Sequence, residues 1–115
     1  MKSYTDISQS KKLAEILPFE SADMFWRYNH NIHTYDDIPK ILVVNNWDDD
    51  YNKDIPCWSL TALMNVLDRG ALFITPQGWA CQSYINFKAI TSDHHSNPID
   101  ACYEIILKLH ELKML

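Results

Sequence analysis

The chain has 115 residues, of which 47 % are hydrophobic and 22 % charged, with a formal net charge of −5. That size and balance exclude a disordered chain and predict a single domain over residues 1–115, able to bury a core without disulfides or a metal. With only two glycines, Gly70 and Gly78, Gly-rich phosphate loops are excluded, and sandwiches or barrels with many tight turns are disfavoured.

Charge is unevenly spread. Six aspartates (36, 37, 48, 49, 50 and 54) stand against Lys40 and Lys53 in one stretch, which carries most of the negative charge. A phosphate backbone would be repelled there, and no Lys/Arg stripe attracts one elsewhere, so no nucleic-acid partner is expected. The three cysteines (57, 81 and 102) are odd in number and irregularly spaced, which does not read as a disulfide framework. The opening residues contain no apolar stretch of signal type, and the run Ile41-Leu42-Val43-Val44 is far too short to cross a bilayer. A cytoplasmic protein with no membrane partner is the expectation.

In chain order, residues 5–17 read as a helix. Ile7, Leu13, Ala14 and Leu17 share one face, Ser10 completes the spacing, and Gln9, Lys11, Lys12 and Glu15 point away. Pro18 ends it. Ser21 is placed to cap a short second helix through Ala22, Asp23, Met24, Phe25 and Trp26, with Asp23 near the positive end of its dipole. Residues 29–54 are polar and irregular, apart from a β-branched strand over residues 40–45, buried on both faces or at an interface.

Residues 59–68 form the next predicted helix. Ser59 is its N-cap, Trp58 is spaced to staple onto Leu63, and Leu60, Leu63, Met64 and Leu67 make its apolar stripe before Gly70 stops it. A hairpin follows, with residues 71–75 outgoing, Pro76-Gln77-Gly78 as the turn and residues 79–87 returning. A third strand spans residues 88–92, its boundary with the second open. The last helix has Asn97 as cap, Pro98 at its first position and Asp100 three residues after the cap. Ile99, Cys102, Ile106, Leu109 and Leu112 form its apolar face, and Glu104–Lys108 is an i,i+4 ion pair on the other. These elements predict an α+β fold: a three- to four-stranded antiparallel sheet covered on one face by N-terminal, central and C-terminal helices.

Three blocks resemble a group of small uncharacterised proteins of gut Bacteroides-type genomes and their phages or prophages. They are Gln9-Ser10-Lys11-Lys12-Leu13-Ala14-Glu15, Ile55-Pro56-Cys57-Trp58-Ser59-Leu60-Thr61-Ala62-Leu63, and the tail from Asn97-Pro98-Ile99-Asp100 to Lys113. The resemblance implies an accessory gene of a mobile element and transfers no catalytic residue.

Four features bear on chemistry. Cys57 precedes a helix N-terminus, where backbone N–H groups lower a thiol's pKa, so a thiol-dependent enzyme is one reading; a packed, inert cysteine is the favoured one. His30, His33, His94, His95 and His110 match no structural metal spacing and read as solvated or unallied side chains. The stretch from Asp48 begins like a calcium loop, then fails at Lys53 and Ser59, where glycine and a bidentate glutamate are required. Tyr35, Asp36, Asp37, Trp47, Asp48, Asp49, Asp50 and Tyr51 combine aromatic rings with carboxylates, a pattern suited to binding a basic protein partner. The leading expectation is therefore a non-enzymatic protein that binds or modulates another protein through residues 35–54, without metal or cofactor. A homodimer through a strand edge or the helix at 59–68 is a further reading.

Overall fold

A computed structural model describes residues 1–42, 53–67 and 69–115 of the chain. Its first helix, α1 (Ile7–Ala14), opens on a reciprocal cap. Asp6 Oδ1 accepts the Gln9 N–H at 2.8 Å, and Gln9 Oε1 accepts the Asp6 N–H at 3.1 Å. Ser10 and Leu13 are buried as the periodicity predicts, but Ala14 is exposed and Gln9 is inside. Gln9 turns inward because its Nε2 also donates to Asp100 Oδ1 at 2.7 Å, a tie that helical spacing does not encode.

The helix expected at residues 22–26 does not form. A 3₁₀ turn (Phe19–Ser21) leads into strand β1 (Met24–Trp26), where Phe25 and Trp26 are buried. Phe25 and Trp26 lose rotamer freedom in a helix and gain packing in a strand, and here a partner strand exists on each side. β1 pairs antiparallel with β4 (Lys40–Ile41) and with β5 (Ile55–Cys57), in the order β4-β1-β5. Pro56 is tolerated because β5 is an edge strand. Asp23 serves a different helix from the one predicted: Oδ1 accepts the Ser59 N–H at 2.9 Å and Oδ2 accepts the Ser59 hydroxyl. The strand expected at residues 40–45 is described only at its start. Lys40 and Ile41 there are exposed edge residues, not buried on both faces, and residues 43–45 lie outside the described part.

Between β1 and β4, β2 (Tyr28–Asn29) and β3 (Thr34–Tyr35) form a two-stranded ribbon, pairing Tyr28 with Tyr35 and Asn29 with Thr34. After β5 comes helix α2 (Leu60–Val66). Ser59 caps it, accepting the Ala62 N–H at 3.2 Å, and Trp58 and Leu63 are both fully buried. The chain leaves α2 extended at Leu67, and the left-handed residue is Arg69 (φ 50°), not Gly70. Gly70 is needed for space, since a Cβ there would lie 2.9 Å from Leu67 Cβ.

The predicted hairpin and third strand form an antiparallel meander, β6 (Ala71–Thr75), β7 (Gly78–Ile85) and β8 (Lys88–Thr91). Gly78 has φ +127°, and an added Cβ would lie 2.5 Å from the His95 carbonyl oxygen, because Trp79 and His95 exchange backbone hydrogen bonds beside it. β7 stops at Ile85 because Asn86 (φ 53°) and Phe87 (φ 62°) are both left-handed, forming the two-residue turn that suits a twisted hairpin. That turn sets the open boundary between the second and third strands.

Helix α3 (Pro98–Glu111) is capped by Asn97, whose Oδ1 accepts the Asp100 N–H at 2.9 Å. Ile99, Cys102, Ile106 and Leu109 are fully buried as predicted, joined by Ala101 and Ile105. Leu112 is exposed, because the helix has ended and Lys113 (φ 58°) turns the chain away. α3 packs chiefly on β7 and α2, and α1 lies against β5. One hydrophobic cluster runs from Leu13 through Trp58, Leu63 and Cys81 to Leu109. The fold is α+β: among the described residues, three α-helices accompany three antiparallel sheets of two or three strands. No helix among them is long and apolar enough to cross a membrane.

Candidate functional site

The β2–β3 ribbon organises the described part of the acidic, aromatic segment. Tyr28 and Tyr35 meet edge to face at 5.3 Å between centroids, and His30 packs on Tyr28 in the same way at 4.9 Å. Two ammonium groups approach these rings, Lys53 Nζ at 5.1 Å from the Tyr28 centroid and Lys11 Nζ at 5.7 Å from that of Tyr35. The Tyr35 hydroxyl donates to the Lys53 carbonyl at 2.8 Å. Burial, then the charge of Asp54, push the Tyr35 phenol above its ordinary pKa.

Asp54 anchors the ribbon from beneath. It is buried, its Oδ1 accepts the Tyr28 N–H at 2.8 Å, and its buried Oδ2 has no hydrogen-bond partner among the described residues. Asp36 is half-buried and accepts from Asn29 Nδ2 at 3.3 Å, whereas Asp37 is exposed. Of the predicted binding residues, Tyr35 packs on Tyr28, Asp36 is tied to Asn29, and Asp37 is exposed. Trp47, Asp48, Asp49, Asp50 and Tyr51 lie outside the described residues. Asp54 was counted with the acidic stretch, but its side chain is a structural acceptor.

Beside the ribbon opens a cleft of about 450 Å³, lined by Arg27, Tyr28, Asn29, His30, Asp36 and Lys40 among others. In the same stretch of chain Ile32, Ile38 and Ile41 are 59 %, 66 % and 71 % exposed. Arg27, Tyr28, Ile32 and Ile38 carry no signal in the sequence, whereas Ile41 falls in the strand expected at residues 40–45. Ile32 and Ile38 stand singly in a polar stretch and so carry no period.

A second cleft, of about 360 Å³, lies between the start of α1 and α3. Lys2 Nζ bridges Asp6 Oδ2 at 3.0 Å and Asp100 Oδ1 at 2.9 Å. Burial works against the Asp100 carboxylate, but hydrogen bonds from Lys2, Gln9 and Asn97 outweigh it and hold its pKa below the usual range. On the same wall Glu104 takes His95 Nε2 at 2.7 Å, Lys108 Nζ at 2.9 Å and the Asp93 N–H at 2.9 Å. Burial again opposes ionisation, and these three donors overcome it, bringing Glu104 down to about 2. Glu104–Lys108 was predicted as a simple surface pair; the structure adds His95 and the Asp93 backbone to it. Every charge described here has a partner of opposite sign, which suits holding the 92–97 strap onto α3.

Cys57 lines neither cleft. It is fully buried, its thiol donates to the Thr5 carbonyl at 3.4 Å, and the Thr5 hydroxyl lies 3.5 Å from its sulfur. Burial pushes this thiol above its ordinary pKa, only partly offset by hydrogen bonds from Thr5 and Ser10, the opposite of what a reactive nucleophile needs. His30, His33, His94 and His110 are exposed. Among the described residues no three His, Cys, Asp or Glu side chains gather to hold a metal ion. Ser59, which would close the calcium-type loop, is committed to the α2 cap.

No family model, no curated protein and no solved structure matches this chain.

Proposed function

We propose that this chain is a non-enzymatic accessory protein of a mobile element, and that it binds a basic, partly apolar segment of another protein through residues 35–54 and the adjoining ribbon. The observation that carries this reading is the exposure of Ile32, Ile38 and Ile41 in the same stretch of chain as Asp36 and Asp37, with Asp36 and Lys40 lining a cleft. Exposed aliphatics interspersed with carboxylates suit a contact surface better than a solvated loop. The carboxylates of the stretch supply attraction to a basic partner and a salt-sensitive association rate. The resemblance of the three helical blocks to mobile-element proteins fits such a role.

The test compares wild type with an Asp37→Lys, Ile38→Asp double variant, both immobilised and exposed to lysate of the native host. A protein that wild type retains and the folded variant loses, with retention falling as salt rises, is the expected result. Identical retention by the two, with the variant's circular dichroism unchanged, would remove the surface from the proposal.

A further inference from the structure

Two of the three cysteines meet inside the core. Cys81, on β7, and Cys102, on α3, are both fully buried, with their sulfurs 3.6 Å apart. Cys102 Sγ also lies 3.6 Å from the Met64 sulfur of α2. Cys57 stands apart from this group, tied to Thr5. From these positions we infer that Cys81 and Cys102 are a redox modification site, forming an intramolecular disulfide with peroxide-class oxidants and locking α3 onto β7.

The surroundings choose between the things two thiols can do. A metal ion would want further ligands, and among the described residues no third His, Cys, Asp or Glu joins the two sulfurs. A disulfide is neutral, as the two thiols are, so its formation leaves no buried charge. Closing the gap to the ~2.0 Å of an S–S bond is a short movement of two side chains, with α3 already packed on β7. Each partner also has its role. The Cys102 S–H donates to Cys81, which lowers the Cys81 pKa and, with burial, raises that of Cys102.

The chemistry balances with hydrogen peroxide as oxidant. The Cys81 thiolate attacks one peroxide oxygen, the O–O bond breaks, and hydroxide leaves, giving a sulfenic acid on Cys81. The Cys102 sulfur then attacks the Cys81 sulfur, the S–O bond breaks, and hydroxide takes up the Cys102 proton as water. Two thiols and one peroxide become one disulfide and two waters, with two electrons passing from sulfur to oxygen. Because both sulfurs are buried, the reaction goes through local opening, and half-buried Met64 on the short helix α2 is the outer cover. The product encloses residues 81–102, which contain β8 and the strap bearing His95.

Peptide mapping of the wild-type protein tests this without a variant. Folded protein is treated with hydrogen peroxide, blocked with iodoacetamide and digested with trypsin under non-reducing conditions. Cleavage after Lys88 separates the two cysteines, so a linked pair of peptides bearing Cys81 and Cys102, two hydrogens lighter than their sum, reports the bond. The same treatment in denaturant gives a mixture that includes Cys57. The linked form is expected to melt higher by roughly 5–15 °C, a gain that reductant reverses. Links through Cys57 in the folded protein, sulfinic acid on Cys81 without a link, or no reaction short of unfolding would each overturn the assignment.

Discussion

Replacing Glu104 with glutamine removes one negative charge from the wall of the α1–α3 cleft while preserving its shape. In the folded protein Glu104 titrates at about 2 against an ordinary 4.5. That gap, at 1.36 kcal/mol for each unit, bounds the stabilisation at about 3.4 kcal/mol. Its side chain is 21 % exposed, and those of His95 and Lys108 are 30 % and 39 % exposed, so water screens the ion pairs considerably. About 1–2 kcal/mol is the value expected after that discount. The pKa is depressed in the fold, so the contribution is present in full above pH 4.5 and disappears as pH falls from there towards 2. Urea unfolding of wild type and Glu104→Gln should therefore differ by about 1–2 kcal/mol at pH 7 and converge below about pH 3. The glutamine retains an acceptor for the Asp93 N–H, which keeps the comparison on charge. A difference that stays constant from pH 7 to pH 2.5 would refute the electrostatic account and assign the effect to packing.

Gly78→Ala should cost at least ~2 kcal/mol in urea unfolding, because the new Cβ meets the His95 carbonyl at a left-handed backbone position. Asn97→Ala should cost about 1 kcal/mol in the same urea assay, the loss of one N-cap. Ile106→Ala should cost about 2–5 kcal/mol, since the side chain is fully enclosed by the core. Cys57 should resist iodoacetamide at pH 8 in the folded protein and react once it is unfolded; rapid labelling of the native state would return thiol-dependent chemistry to consideration.

Helix α3 was legible because everything that makes it is local. Its cap, its first-turn proline and its apolar spacing lie within one stretch of chain, and each acts over three or four residues. α2 and the meander were readable for the same reason, through Ser59 and through turn residues flanked by apolar runs. Met24-Phe25-Trp26 was misread as helix because three bulky residues have no period, and the strand that claims them begins at Ile55. Gln9 was misplaced outward because its holder, Asp100, belongs to another helix.

Local sequence therefore determined where helices start, where hairpins turn and which faces are apolar, since those preferences are settled between near neighbours. The tertiary structure alone decided that Asp54 accepts from the Tyr28 N–H, that His95 joins Lys108 on Glu104, and that two cysteines meet. Each of these depends on distances between segments remote in the chain. Packing sets such distances through the whole core at once, and no single stretch carries that information.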